Sequence, residues 1–195
     1  MKQQGTERQT VAFALCGSFC SFGAVLPQIE VLKRRGWDVL PILSASAASQ
    51  DTRFGTADTL KEQLRKMTGH EPLTTLQAVE PLGPQQMARA LVIAPATGTT
   101  MALLAAGISS TPVTLAAKSL LRGGCPVVVA PSTNDGLSGS AAALAALLQR
   151  KHYYFVPFGQ DDSYKKPNSL KSDFTQLPET LEGALRGVQI QPLLL

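Results

Sequence analysis

The sequence predicts a three-layer α/β fold built around a doubly wound parallel sheet. Its short apolar runs, such as residues 90–94 and 126–130, are continuous rather than alternating, which is typical of strands covered on both faces. Segments with apolar residues at helical spacing lie between these runs, and this alternation indicates βαβ units. The chain has 195 residues, of which 44% are hydrophobic, enough for one substantial core. These observations together predict a Rossmann-like sandwich.

The first βαβ unit is visible near the start of the chain. Residues 10–15 are an apolar run that ends in a tight turn, and apolar residues recur at helical spacing over residues 21–35. Gly36 stands where a glycine commonly ends a helix, and residues 38–43 form the predicted second strand. The turn between the first strand and its helix is therefore a candidate ligand site.

The later elements continue the same alternation. Residues 44–55 lack apolar periodicity and are predicted to form a loop, and a helix through Leu60 and Leu64 follows and ends at Gly69. The remaining predicted elements are strands at 90–94, 126–130 and 153–156 and helices at 99–106, 113–121, 136–150 and 178–186.

A single domain is expected over residues 1–195, because a second core would need a longer chain. Residues 1–9 are polar and are predicted to form a flexible N-terminus. Residues 157–177 are predicted to form a long polar loop, which is either a lid or partner-docking segment or a solvated surface loop.

Composition and charge exclude several classes of function. The net charge of +4 is small, and the basic residues do not alternate with aromatic residues, so no nucleic-acid surface is expected. No export signal or membrane-spanning stretch is recognisable, which predicts a cytoplasmic protein with no membrane partner. The three cysteines and two histidines show no metal-ligand spacing, so no metal is expected. Anionic small molecules suit the positive charge better.

Four turns follow predicted strands, and they begin at Cys16, Ser44, Pro95 and Pro131. In a doubly wound sheet, ligands bind outside the carboxyl ends of the strands. We therefore expect these four turns to converge on one edge of the sheet.

Two of these turns carry residues suited to an anion. Gly17 and Ser18 offer a close backbone approach and a hydroxyl at a helix mouth, although an ordinary capped turn explains them equally well. The segment 97–100 places three threonines and Gly98 directly before a helix, where capping requires only one hydroxyl, so a phosphate site is favoured there. The first turn is not GxGxxG, which disfavours an NAD site on this chain.

The segment 95–108, PATGTTMALLAAGI, is similar to the PASANT loop and following helix of the homo-oligomeric flavin-containing cysteine decarboxylase superfamily. Residues 130–134, APSTN, fall where those decarboxylases carry a PxMN substrate clamp, with Thr133 in place of the methionine. Where they carry a histidine, this sequence has TTLQ at 74–77, so no catalytic residue is assigned.

A closer resemblance is to the family of dipicolinate synthase B subunits, and it spans nearly the whole chain. The most specific shared stretches are polar segments that a Rossmann-like fold does not itself require. The shared stretches are LCGSFC at 15–20, DTRFG at 51–55, EPLGP at 80–84, TPVT at 111–114, STNDG at 132–136, YFVPFGQDD at 154–162 and KKPNS at 165–169.

The resemblance implies a flavodoxin-like three-layer fold, a trimer or larger homo-oligomer, and a flavin-type pocket for FMN. The mononucleotide-binding positions that it carries over are Gly17, Ser18, Ser44, Thr97, Gly98, Thr99 and Thr100. It also implies a dehydrogenase-like A subunit that carries NADPH, conversion of a hydroxytetrahydrodipicolinate into dipicolinate, and a place in the mother cell of a sporulating bacterium.

The substrate implied by the resemblance is a dicarboxylate, and the expected substrate-binding residues are Arg53, Asn134, Lys165 and Lys166. Arg53 suits a forked contact with a carboxylate, although a surface ion pair with Asp51 is the equal alternative. Asn134 is expected to cap the following helix and is also a candidate ligand contact. The alternative functions are an FMN-dependent decarboxylase or flavin prenyltransferase, and a non-catalytic scaffold subunit.

Overall fold

Five parallel strands form the centre of the sheet in the spatial order β2-β1-β3-β4-β5. The computed structural model describes residues 9–195. Residues 1–8 of the expected flexible N-terminus lie outside the described part of the chain, whereas Gln9 already belongs to the first strand. The strands are β1 Gln9–Leu15, β2 Trp37–Leu43, β3 Leu91–Ala96, β4 Val127–Thr133, β5 Tyr153–Phe155, β6 Phe158–Asp162 and β7 Lys166–Ser172.

The central strands are apolar throughout because both faces of the sheet are covered. In β1, Val11 and Phe13 belong to one core cluster, while Ala12 and Ala14 belong to the other, and all four are fully buried. Side chains of a strand point alternately to opposite faces, so a continuous apolar run supplies both cores at once.

Helices cover the two faces of this sheet. They are α1 Phe22–Arg34, α2 Ala45–Ser49, α3 Ala57–Thr68, α4 Leu76–Val79, α5 Gly98–Ala105, α6 Pro112–Leu121, α7 Ala141–Leu148 and α8 Leu177–Leu185. The first core cluster contains buried residues of α1, α3 and α8, and the second contains buried residues of α4, α5, α6 and α7. The predicted three-layer, doubly wound fold is therefore confirmed.

The strand order fixes where a ligand site lies. Strand β1 pairs with β2 on one side and with β3 on the other, so the chain reverses its direction of growth between β1 and β3. At such a switch point the following loops separate to opposite faces and leave a crevice at the carboxyl ends of the strands. The turns after β1 and β3 flank that crevice.

Three long segments differ from the sequence prediction, apart from the four-residue helix α4, which was also not predicted. The predicted loop at 44–55 contains the short helix α2, which begins where the Ser44 hydroxyl accepts a hydrogen bond from the N–H of Ala47. The predicted helix at 136–150 begins only at Ala141, because the backbone N–H groups of Ser138 and Ser140 turn back to the carbonyl of Asp135.

The third difference is the largest, because strands β6 and β7 form a β-hairpin where a long polar loop was expected at 157–177. Strand β7 runs antiparallel to the end of β4 and pairs Lys171 with Ser132. The backbones of Leu193 and Leu195 bond to Phe158 on β6. The hairpin was not predicted because most of its residues are polar and exposed. Only part of the ribbon, including Leu170 and Ser172, is buried.

No helix within residues 9–195 has the length and apolarity needed to cross a membrane. The same part of the chain contains no cluster of three or more histidine, cysteine or acidic side chains arranged to hold a metal ion.

Candidate functional site

A cleft of about 610 Å³ opens at the carboxyl ends of β1, β3 and β4, with the β6–β7 hairpin as one wall. Its volume lies within the range of small-molecule sites, which is roughly 300–1,000 Å³. Of the residues predicted from sequence, the cleft is lined by Gly17, Ser18, Arg53, Thr97, Gly98, Thr99, Asn134 and Lys166. Ser44, Thr100 and Lys165 are not among its lining residues.

The predicted turns lie together because the strand ends are hydrogen-bonded to one another. The N–H of Cys16, after β1, donates to the carbonyl of Pro95 in β3 at 3.3 Å. The N–H of Ser44, after β2, donates to the carbonyl of Leu15 at 3.0 Å. A β-carbon on Gly17 would lie 3.2 Å from the β-carbon of Ser46, so the first two turns are in close contact.

Two helix N-termini open into this cleft. A short 3-10 turn, Phe19–Ser21, leads into α1, and the N–H groups of Phe19 and Cys20 find no hydrogen-bond acceptor among residues 9–195. The N–H groups of Gly98 and Thr99, at the start of α5, likewise find no acceptor in that part of the chain. Unpaired N–H groups at helix N-termini favour an anion through both hydrogen bonding and the helix dipole.

The three threonines after β3 have different positions. The Thr97 hydroxyl accepts a hydrogen bond from the N–H of Thr100 at 3.3 Å and caps α5. The Thr100 hydroxyl donates to the sulfur of Cys16 at 3.3 Å and is directed into the core. Only Thr99 has an exposed side chain, so the cluster supplies one cap, one internal contact and one group open to the cleft.

A polar cluster that sequence reasoning missed lies beneath the start of α5. The carboxylate of Asp135 accepts hydrogen bonds from the hydroxyls of Thr133 at 2.5 Å and Ser140 at 2.8 Å. The Thr133 bond, followed by the Ser140 bond, holds the pKa of Asp135 below its ordinary value. The sequence signal was the STNDG stretch, from which only Asn134 was selected as a ligand contact.

Basic side chains lie on the opposite wall of the cleft. Lys166 is paired with Asp161 at 2.6 Å, and this hydrogen bond raises the pKa of Lys166 and lowers that of Asp161. Lys171, which was not predicted, also lines the cleft and lies 3.9 Å from Asp161. Lys165 is exposed at the hairpin turn and lies outside the cleft lining.

Arg53 is positioned by an aromatic contact rather than by the predicted ion pair. Its guanidinium carbon lies 4.9 Å from the centroid of the Phe54 ring. Among residues 9–195 no salt bridge joins Asp51 to Arg53, and the Asp51 carboxylate instead accepts a hydrogen bond from the N–H of Ala57 at 2.9 Å. Arg53 is therefore directed to the cleft without a carboxylate partner in the described chain.

An apolar pocket of about 370 Å³ adjoins the cleft and shares Phe19, Cys20 and Phe54 with it. The side chains of Phe22 and Leu26 from α1 and Leu60 from α3 complete its apolar wall. The cleft and pocket together suit a ligand that has an anionic end and a flat apolar ring.

Cys16 lies next to the candidate site, and its thiol is buried. Burial raises the pKa of the Cys16 thiol to about 11, although hydrogen bonds from Thr100 and the Thr97 backbone oppose the shift. Cys16 therefore stays a protonated, packed thiol at neutral pH, as expected of a buried filler.

Comparison with known proteins shows close relatives along the whole chain. The B subunit of dipicolinate synthase from Bacillus subtilis (strain 168) is 41% identical over 184 residues, which is 94% of this chain and 92% of the relative. The crystal structure of the corresponding B subunit from Bacillus halodurans has a TM-score of 0.88 and 40% identity, with 96% of each chain covered.

More distant structures share the fold alone. The FMN complex of Burkholderia xenovorans DmrB, described as a cubic protein cage for redox transfer, has a TM-score of 0.64 at 21% identity over 78% of this chain and 89% of that one.

The sequence model of the Flavoprotein family matches residues 2–149. Together with the parallel sheet in 2-1-3-4-5 order, this match shows that the chain belongs to the Flavoprotein family.

Proposed function

We propose that this chain is the B subunit of a dipicolinate synthase and acts with a dehydrogenase-like A subunit to form dipicolinate from a hydroxytetrahydrodipicolinate. The observation that carries the proposal is the 41% identity to a dipicolinate synthase B subunit over 94% of the chain. The cleft supports it, because a dicarboxylate needs cationic and N–H donors.

The proposed role of the cleft residues is to bind and orient the dianionic substrate. Arg53 forks onto one carboxylate, and Lys166, with Lys171 beside it, neutralises the other. Asn134 supplies a neutral contact at the end of β4. In the overall reaction the substrate loses one water molecule and then two hydrogens, as a hydride and a proton, to become the aromatic product.

Other residues of the same cleft fit a flavin mononucleotide. The unpaired N–H groups at the start of the 3-10 turn and of α5, with Gly17, Ser18 and Thr97 beside them, would hold the phosphate. The adjoining apolar pocket would receive the ring. When bound, FMN supplies a two-electron acceptor. The alternative acceptor is an oxidised nicotinamide on the A subunit, reduced there to NADPH.

A second candidate is an FMN-dependent decarboxylase or flavin prenyltransferase. The fold supports it, since the FMN-dependent cysteine decarboxylase SpaF has a TM-score of 0.65 to this chain at 22% identity. The TTLQ segment at 74–77 counts against the decarboxylase, because it offers no imidazole for proton transfer. Turnover of a cysteine derivative or of a prenyl donor by the purified chain would establish this candidate.

The proposal is tested by co-expressing this chain with its A subunit and assaying dipicolinate from the purified complex. We expect product from the complex and little from the A subunit alone. Undiminished product formation by the A subunit alone would contradict the proposal. A scaffold role is distinguished by substituting Thr99 and Arg53 together, because a pure scaffold would keep full activity in an intact complex.

The proposed assembly also includes more than one copy of this chain, as a trimer or larger homo-oligomer. Sedimentation of the purified chain alone and of the complex measures both compositions. A monomer at micromolar concentration would contradict this part of the proposal.

A further inference from the structure

Three serine hydroxyls form a closed hydrogen-bonded ring at the edge of the cleft. The oxygens of Ser18 and Ser132 are 2.9 Å apart, those of Ser21 and Ser132 are 2.8 Å apart, and those of Ser18 and Ser21 are 3.3 Å apart. We call these three side chains the hydroxyl ring. Ser18 and Ser21 belong to the turn after β1, whereas Ser132 lies near the end of β4.

The ring joins two strands that are not neighbours, because β3 lies between β1 and β4 in the sheet. Ser21 is 1% exposed and Ser132 is 6% exposed, while Ser18 is only partly buried. All three residues line the cleft. The ring therefore has two buried members and one partly buried member, Ser18, that is more open to the cleft.

The three hydroxyls can satisfy their protons both with and without an anion in the cleft. Each hydroxyl has one proton to donate and can accept more than one bond. With no anion in contact, the three protons are satisfied within the ring. When Ser18 turns its proton outward to an anion, one of the two buried hydroxyls donates to the other, and that second hydroxyl donates to the Ser18 oxygen. No buried hydroxyl is left unpaired in either arrangement, so the change carries no desolvation cost.

We infer that Ser132 is a positioning residue for the anion in the cleft and acts through Ser18. By donating to the Ser18 oxygen directly or through Ser21, Ser132 holds that hydroxyl in place and polarises it toward an anionic ligand. This inference rests on the proposed function, because it requires that an anion binds beside Ser18.

The test measures FMN and riboflavin binding by flavin fluorescence, with inorganic phosphate as a third probe in calorimetry. Ser132→Ala is expected to weaken FMN and phosphate binding by about five- to tenfold, which is the loss of one hydrogen bond. Riboflavin binding is expected to stay unchanged, because riboflavin lacks the phosphate. Ser132→Thr keeps a hydroxyl and is expected to restore most of the FMN affinity.

A double-mutant cycle separates positioning from a general structural role. If Ser132 acts through Ser18, Ser132→Ala has no further effect on FMN binding in a Ser18→Ala background. Ser21→Ala provides a second variant of the ring should Ser132→Ala fold poorly. The matched control is Ser172→Ala, a serine 4% exposed on β7 that donates to the carbonyl of Val156, outside the cleft lining. Its FMN affinity is expected to equal that of the unsubstituted protein.

Two outcomes would overturn the inference, and they are distinguishable. The positioning role is wrong, while the proposed function stands, if Ser132→Ala binds FMN as tightly as the unsubstituted protein does. The same conclusion follows if Ser132→Ala weakens FMN binding by the same factor in the Ser18→Ala background as in the protein that keeps Ser18. If the unsubstituted protein binds neither FMN nor phosphate, the inference and the flavin part of the proposal both fail. The dipicolinate assay of the complex then decides separately whether the proposed reaction survives.

Discussion

A β-carbon on Gly98 would lie 2.2 Å from the hydroxyl oxygen of Ser140. It would also lie 2.9 Å from the carboxylate of Asp135 and 2.9 Å from the hydroxyl of Thr133. The start of α5, which presents unpaired N–H groups to the cleft, is therefore packed directly against the polar cluster that follows β4. Any larger residue at position 98 would therefore force Ser140, Asp135, Thr133 or α5 itself to shift.

Gly98→Ala is expected to lower the free energy of unfolding by about 1–3 kcal/mol, as overpacking commonly does. To accommodate the methyl group, Ser140 must leave Asp135 or α5 must move away from the cleft. The N–H groups of α5 are then displaced, so FMN and phosphate binding should weaken at least tenfold, on the order of 1.4 kcal/mol. Urea denaturation and fluorescence titration measure the two effects.

The control for stability is Gly23→Ala in the first turn of α1, where a β-carbon meets nothing within 4 Å. Alanine there is expected to raise the free energy of unfolding by about 0.5–1 kcal/mol. Because Gly23 lines the apolar pocket, only the free energies of unfolding of the two variants are compared. Equal free energies of unfolding would show that the contact between Gly98 and Ser140 does not constrain the protein.

Arg53→Ala is expected to raise the KM for the dicarboxylate substrate by about 10- to 100-fold in the complex with the A subunit, because a charged hydrogen-bonding partner is lost. Arg53→Lys should recover only part of this loss, since an ammonium cannot fork onto a carboxylate. Steady-state kinetics of dipicolinate formation measure both variants. Arg122→Ala, at an exposed position after α6 and outside the cleft lining, serves as the charge-matched control. An unchanged KM in Arg53→Ala would remove this residue from the proposed site.

Asp135→Asn tests the polar cluster through the pH dependence of stability. The folded-state pKa of Asp135 is lowered, so its carboxylate stabilises the fold above the ordinary carboxyl pKa of 3.8. That contribution is lost as the pH falls below 3.8 toward the lowered folded-state value. Asp135→Asn should therefore be less stable than the unsubstituted protein at pH 6, and the difference should shrink below pH 4 in acid-dependent urea denaturation. The comparison variant is Asp58→Asn, because the Asp58 carboxylate is 93% exposed and its replacement should change the free energy of unfolding little. A difference that stays constant with pH would exclude the charge of Asp135 as its cause.

We expect the tip of the β6–β7 hairpin to dock the A subunit, because an exposed aromatic side chain is a common interface anchor. Tyr164→Ser should then weaken association with the A subunit at least tenfold, while the free energy of unfolding changes by less than about 0.5 kcal/mol. Tyr164 is 96% exposed at the tip of the β6–β7 hairpin, so it has little packing to lose. The Asp162 carboxylate accepts hydrogen bonds from the N–H groups of Tyr164 and Lys165 and holds this tip in a defined turn. Titration calorimetry with the A subunit measures the affinity. Val188→Ser, at another exposed apolar position, is the control. Unchanged affinity in Tyr164→Ser would place the partner surface elsewhere.

The sequence predicted the sheet and its helices well because each element carries its own local signal. Runs such as residues 126–130 are apolar without interruption, and a strand buried on both faces permits little else. Thr97 and Gly98 were identified from the turn after β3 because capping and close packing impose recognisable residue types. The hairpin of β6 and β7 was not predicted, since an edge ribbon that is largely exposed has no apolar pattern to show.

The amino-acid pattern alone therefore established the order of the five parallel strands along the chain, the edge of the sheet where the candidate site lies, and the family. Which side chains at that edge face the cleft was visible only in the folded chain. There Ser44 caps α2 and Thr100 contacts Cys16 in the core, whereas Ser132, Asp135 and Lys171 line the cleft. The sequence could not show this, because a hydroxyl or carboxylate has the same local signature whether it caps a helix, closes a hydrogen-bonded ring or contacts a ligand. Which of these it does depends on contacts between residues such as Ser21 and Ser132, which are 111 positions apart in the chain.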